Sequence, residues 1–188
     1  SEPILLALCP TGWGRDEDVD LLIPAAESAA AELPAGARPI LLLVSGAGEG
    51  RESFEERARR FRAANVAIRT TFVSGDAYPL LVHGADVGVS LHRPVLGLDP
   101  PMKVADLLGG GVPVLELRDG PAPESLVVDG RNGAVFRNAA ELAAFLVRFA
   151  SGPEALEALR EGARGSARPS FREAWIAEAA PLLLPETA

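Results

Sequence analysis

Six short apolar runs recur along this chain, most of them separated by longer amphipathic stretches, and no other feature so narrows the folds open to it. Runs of this length suit strands, and helical stretches between them predict βα units wound onto a parallel sheet with helices on both faces. Residues 4–9, 39–44, 66–73, 87–91, 112–117 and 134–136 read as the strands. Helices are expected over 16–33, where Asp16, Glu17 and Asp18 favour the positive end of the dipole, and over 52–64, 77–82, 138–150, 153–166 and 170–184. A further helix opens at Pro101 and stops at Gly109-Gly-Gly111. With 188 residues and 48% hydrophobic content, residues 1–188 read as one α/β domain or one lobe of a larger enzyme. The chain starts without Met and enters a strand almost at once, so it reads as a piece of a longer protein.

Doubly wound sheets bind ligands outside the carboxyl ends of their strands. Loops 10–15, 45–50, 73–76 and 91–100 fall there. The last of them leads to Lys103, the single lysine among eighteen Lys and Arg residues, beside the only methionine, Met102. The only tyrosine, Tyr78, lies shortly upstream. Pro101 suits a first helical position and Pro100 is barred from the helix, so Lys103 falls in the first turn with Asp106 three residues on. A cation at the positive helix end is the wrong order for the dipole, and a bound anion reverses the sign. Exposed N–H groups, the dipole and an ammonium describe a phosphate site, and Asp106 is placed to accept from a sugar's hydroxyl pair. The plainer alternative is a surface Lys–Asp pair worth well under ~1 kcal/mol.

Composition removes several classes. A formal charge of −8 with no basic run argues against a nucleic-acid partner. Cys9 is the only cysteine and His83 and His92 the only histidines, which leaves no disulfide within the chain and no metal site to predict. No apolar run approaches a membrane span and no leader pattern opens the chain, so an intracellular, cytoplasmic location is expected.

Other motifs are double-edged. Gly46-Ala-Gly48-Glu-Gly50 follows a strand and precedes a helix, as a pyrophosphate loop does, but also as any tight turn does. A dinucleotide site wants an acid at the end of the next strand; Arg69, Thr70 and Thr71 stand there, which counts against an NAD-dependent oxidoreductase. His92 and Arg93 end the fourth strand; His92 is the chain's candidate for phosphate contact or proton transfer, with a solvated surface role as the alternative. Trp13 either stacks on a base or sugar or caps the core. Glu124 either meets sugar hydroxyls or serves a helix dipole.

The run Pro101-x-Lys103-x-x-Asp106, then Gly111-x-Pro113-Val, then Glu124 and Gly130-x-Asn132-Gly133, resembles the nucleotide-binding C-terminal half of GT-B fold glycosyltransferases. Tyr78-Pro-Leu-Leu81, Ala85-Asp-Val-Gly-Val-Ser-Leu-His92 and Gly97-Leu-Asp99 are most similar to the β-1,4-mannosyltransferases that add the first mannose to dolichol-linked chitobiose. Trp13-x-x-Asp16-Glu-Asp18 and Ala174-Trp175 extend the likeness along nearly the whole chain. The resemblance implies a Rossmann-like donor-binding lobe using GDP-mannose, no separate cofactor, and a lipid-linked acceptor held by a missing N-terminal lobe that also carries the catalytic base. It implies that Lys103, Met102 and Pro101 meet the diphosphate, Asp106 the ribose, and Gly46, Gly48, Phe72 and Val73 the base. Gly97, Leu98, Asp99, His92, Tyr78, Gly12 and Trp13 complete the expected site. Residues 170–188 are expected to cross to the missing lobe or pair with another copy, and a membrane anchor is expected, if anywhere, upstream. Arg93-Pro-Val-Leu96 departs from the family's small hydroxyl residues, Ala47 from a basic residue and Phe72 from a tryptophan. Another nucleotide sugar, or a non-catalytic sugar-nucleotide module, are the alternatives.

Overall fold

The structure, a computed structural model, describes residues 3–93, 101–118, 120, 125–166 and 171–183. Strands β1 (Leu5–Pro10), β2 (Ile40–Ser45), β3 (Val66–Thr71), β4 (Val87–Ser90), β5 (Val114–Leu117) and β6 (Gly133–Phe136) form one wholly parallel sheet in the order β3-β2-β1-β4-β5-β6. The chain winds outward from β1 to β3, then returns to the other side of β1. That reversal opens a crevice at the carboxyl ends of β1 and β4.

Alternation along each strand divides the core between two faces. Leu5, Ala7 and Cys9 of β1 join a cluster with Ala25, Ala26 and Ala29 of α1 (Leu22–Glu32) and Leu142, Leu146 and Phe149 of α5 (Ala139–Ser151). Leu8 points the other way, toward Val82 of α3 (Tyr78–His83) and Val104 and Leu107 of α4 (Met102–Gly109). Helix α2 (Arg51–Ala58) buries Phe54 on the first face, and α6 (Glu154–Arg164) contributes to both clusters. Asn138 starts α5 by accepting from the Glu141 N–H at 2.9 Å, while Glu141 accepts from the Arg137 N–H at 2.8 Å. The doubly wound parallel sheet expected from the sequence is present.

Several boundaries differ for identifiable reasons. The helix expected over 16–33 begins at Leu22 after a 3₁₀ turn at Val19–Leu21, because Asp16, Glu17 and Asp18 are held by the end of β4 instead. The Asp18 N–H donates to Leu91 O at 3.0 Å, and the Arg93 N–H donates to Asp16 O at 2.7 Å. Strand β3 stops at Thr71, opposite the last residue of β2, leaving Phe72 and Val73 beyond the ladder. Strand β5 starts at Val114, since the Val112 N–H turns back to Leu107 O and Pro113 has no N–H to offer. Helix α2 ends at Ala58 instead of 64, as the Arg60 and Phe61 N–H groups close tighter turns onto Arg57 and Ala58. The last helical run, Phe171–Ala174, Trp175–Ala179 and Ala180–Leu183, has a π turn at its centre, and Trp175, Ile176, Leu182 and Leu183 are exposed on it. Among the described residues no helix is long and apolar enough to cross a membrane.

Candidate functional site at the β1–β4 crevice

Helix α4 is set against β4 by Gly88, where an added Cβ would lie 2.5 Å from Leu107 Cδ1. Val104, Leu107 and Leu108 bury its inner face. Pro101 is the cap and not the first helical residue, so the helix starts one position later than expected, with extended backbone at the cap (φ −68, ψ 117) and no capping side-chain hydrogen bond among the described residues. The first turn thus presents uncapped donors at the carboxyl end of β4. Ser90 lies two residues beyond Gly88 on the same strand face, and its buried hydroxyl has no partner among the described residues.

Lys103 does not pair with Asp106. Its ammonium crosses the crevice to the Glu17 carboxylate, which also accepts from the Thr11 hydroxyl and, at 2.7 Å, from the Gly12 N–H. The Glu17 side chain is 3% exposed and that of Lys103 23%. Burial pulls the Lys103 ammonium below its ordinary value, opposed by charges at Cys9 and Asp16. Burial also pushes the Cys9 thiol up to about 12, against the pull of Lys103.

Glu17 is the residue that sequence reasoning missed; it was read as a helix-dipole acid. A lone lysine near a sheet's end called for a counter-ion, but no local spacing pointed to one. Its neighbours follow the same pattern. His92 Nδ1 lies 3.3 Å from Asp16 Oδ2, and the exposed Arg93 donates to Asp18 at 3.1 and 3.0 Å. Glu17 and His92 form an antiparallel bridge. Asp16, Glu17 and His92 each offer an atom within 4.8 Å of the others, a grouping that can hold a metal ion, but Lys103 already supplies positive charge there.

Asp106 is exposed, and its carboxylate charge faces the Tyr78 side chain of α3. Burial first, then the charge and hydrogen bond of Asp106, push Tyr78 up to about 12. Met102 is exposed and Pro101 half-buried, both at the mouth of the crevice. Gly97, Leu98, Asp99 and Glu124 lie outside the described residues.

The other predicted loops converge on the first. A Cβ on Gly46, whose φ is 151°, would lie 1.8 Å from Thr11 O, and one on Gly48 would lie 2.4 Å from Gly12 O. The glycines therefore let this loop pack backbone to backbone on the loop after β1. Trp13 is buried in the core, its ring centroid 5.4 Å from that of Phe54, and its indole N–H lacks a partner among the described residues. Gly12 is exposed with open space around its Cα. Phe72 is exposed and Val73 half-buried at the end of β3.

No protein-family model matches the chain. It is 34% identical over 184 residues to the mouse chitobiosyldiphosphodolichol beta-mannosyltransferase, covering 95% of this chain and 38% of that protein. The human protein of that name is 32% identical over 185 residues, covering 95% and 40%. The UDP-glycosyltransferase TURAN of Arabidopsis thaliana is 34% identical over 177 residues, covering 84% and 38%. The chain thus spans about two fifths of the length of these relatives. Among solved structures, WaaG, a glycosyltransferase of lipopolysaccharide biosynthesis, matches with a TM-score of 0.69 at 22% identity, over 98% of this chain and 48% of that one. The pneumococcal O-GlcNAc transferase GtfA with UDP and GlcNAc matches at 0.69 and 17% identity, over 87% and 32%. Anabaena HepE with UDP matches at 0.65 and 17%, over 87% and 44%.

Proposed function

We propose that this chain, similar along most of its length to chitobiosyldiphosphodolichol β-mannosyltransferases and folded as a domain of GT-B glycosyltransferases, is the donor-binding domain of a transferase moving mannose from GDP-mannose to a lipid-linked acceptor. The observation that carries the reading is the start of α4, where uncapped N–H groups and the single lysine stand at the crevice of a doubly wound sheet. The diphosphate lies against that helix start and Lys103, with Pro101, Met102 and Gly12 around it. Asp106, exposed one turn into α4, accepts from the ribose hydroxyls. Phe72, Val73 and the loop at Gly46 and Gly48 border the base, and His92 lies toward the sugar. The acceptor and the base that activates it belong to a second lobe, so the domain alone binds donor without turnover. The helical run from 171 to 183, none of whose described side chains is buried, packs on that lobe.

A UDP-sugar donor is the second reading. It is favoured by the name of the Arabidopsis relative, a UDP-glycosyltransferase, and by the UDP in complex with GtfA and HepE. Calorimetry with GDP, UDP and ADP separates the two. Tightest binding of GDP supports the guanine assignment, and equal or reversed affinities defeat it while leaving a nucleotide site. Failure of all three to bind removes the donor-domain reading.

A further inference from the structure

We propose that Glu17 is the positioning residue of the anion site, holding the Lys103 ammonium in the crevice where it meets the donor's diphosphate. The proposal rests on the donor-site reading above. Four residues carry it. One Glu17 oxygen accepts from the Thr11 hydroxyl and the Gly12 N–H, and the other takes the ammonium. A long, flexible side chain is thereby fixed at its far end by a carboxylate that is itself fixed to the loop after β1. An ammonium has three donors, and one contact to Glu17 leaves two for a ligand. Lys103 keeps 23% of its side chain exposed, so those donors are not sealed in.

The charge setting points the same way. Cys9 from β1 and Asp16 and Glu17 from the first loop face Lys103, with His92 beside these acids at the end of β4 and Asp106 one turn further along α4. Glu17 is the one of them that contacts the ammonium, and its side chain is 3% exposed, so an opposite charge is held against Lys103 in a partly dry site. Without it Lys103 loses its proton at lower pH and its direction at every pH.

The test is calorimetry with GDP, UDP and the parent nucleosides on the wild-type chain, Glu17→Gln, Lys103→Ala and the double variant. Glu17→Gln is expected to weaken the nucleoside diphosphate about tenfold, since a hydrogen bond to a charged group is worth roughly that factor or more, and to leave the nucleoside unchanged. The double variant is expected to bind no more weakly than Lys103→Ala, the sign that Glu17 acts through the lysine. In Glu17→Gln, affinity for the diphosphate should also fall at lower pH than in the wild type as conditions turn alkaline. A purely structural role would weaken nucleoside and diphosphate alike and add to the lysine effect, which overturns the proposal. So does wild-type diphosphate affinity in a folded Glu17→Gln chain when Lys103→Ala has lost it. If Lys103→Ala binds as the wild type does, the donor-site reading itself fails. Should Glu17→Gln not fold, Thr11→Val removes one donor to the same carboxylate, and a smaller loss confined to the diphosphate is required.

Discussion

Two regions of this molecule are crowded with charge and handle it in opposite ways. Along α2 and the outer edge of β3 the partners are close in sequence, and none is as buried as Glu17. Arg51 donates to Glu55 at 2.7 Å, Arg59 reaches the same carboxylate at 3.5 Å, and Arg59, Arg62 and Arg69 line a cavity of about 480 Å³. At the β1–β4 crevice the partners come from distant segments, and one of them is almost dry: Glu17 with Lys103, Asp16 with His92, Asp18 with Arg93. Attraction between charges and the cost of stripping their water both grow as the surroundings lose polarity. The outer pairs therefore decorate a surface, whereas the crevice pair determines where the first loop sits.

The largest expected effect tests that contrast directly. Glu17→Ala leaves the Lys103 ammonium without its partner in a mostly buried site and should cost about 3 kcal/mol in urea unfolding, the lower end for a broken buried pair because the lysine can swing toward water. Arg51→Ala should cost under about 0.5 kcal/mol, as helix-face pairs do. Equal losses would break the comparison.

Binding supplies the next largest effect. Asp106→Ala should weaken GDP about ten- to a hundredfold, the worth of charge-assisted bonds to two ribose hydroxyls, or roughly 1.5–3 kcal/mol. Its removal should change stability by less than about 1 kcal/mol, since the side chain is exposed. Wild-type affinity in the folded variant would end the assignment of Asp106 to the ribose.

The glycine loop joins the two regions, linking β2 to α2 while packed on the first loop. Gly48→Ala puts a methyl 2.4 Å from Gly12 O and 2.8 Å from Trp13 Cβ. Thermal unfolding should show a loss of about 1 kcal/mol or more from overpacking. If stability is unchanged but nucleotide affinity falls, the glycines serve a ligand and not the packing of two loops.

What the sequence disclosed follows the same division. Apolar runs reveal strands because burial on both faces leaves a local trace, and Val87–Ser90, buried throughout, carries one. The singular Lys103 was visible in composition alone. Its partner was not, because Glu17 stands 86 positions earlier in a run of acids that reads as the start of a helix. Local propensity lost there to a tertiary bridge with His92, which holds residues 16–18 out of α1. Asp106 was read as the lysine's neighbour by helical spacing, yet the ammonium goes to Glu17 and the carboxylate faces Tyr78 of the adjacent helix. Trp13 shows the same limit: one aromatic in a glycine loop gives no sign of whether its ring faces ligand or core, and the ring lies against Phe54.

The smallest effect belongs to the outer edge and concerns acid. Glu55 is held lower than its ordinary value, first by the Thr70 hydroxyl at 2.6 Å and next by its hydrogen bond with Arg51, with burial acting against them. A carboxylate whose folded value is lowered adds stability that is present above its unfolded value of about 4.5, and that contribution disappears as pH falls through the lower folded value. Glu55→Gln should therefore cost under about 1 kcal/mol at neutral pH and nothing at the acid end, so the two stability curves converge as pH drops. Urea midpoints measured from neutral pH down through the carboxylate range would show it. Parallel curves would mean that Glu55 gains nothing from its charge, and that even the ordered pairs of this edge act only as hydrogen-bonded spacers between α2 and β3.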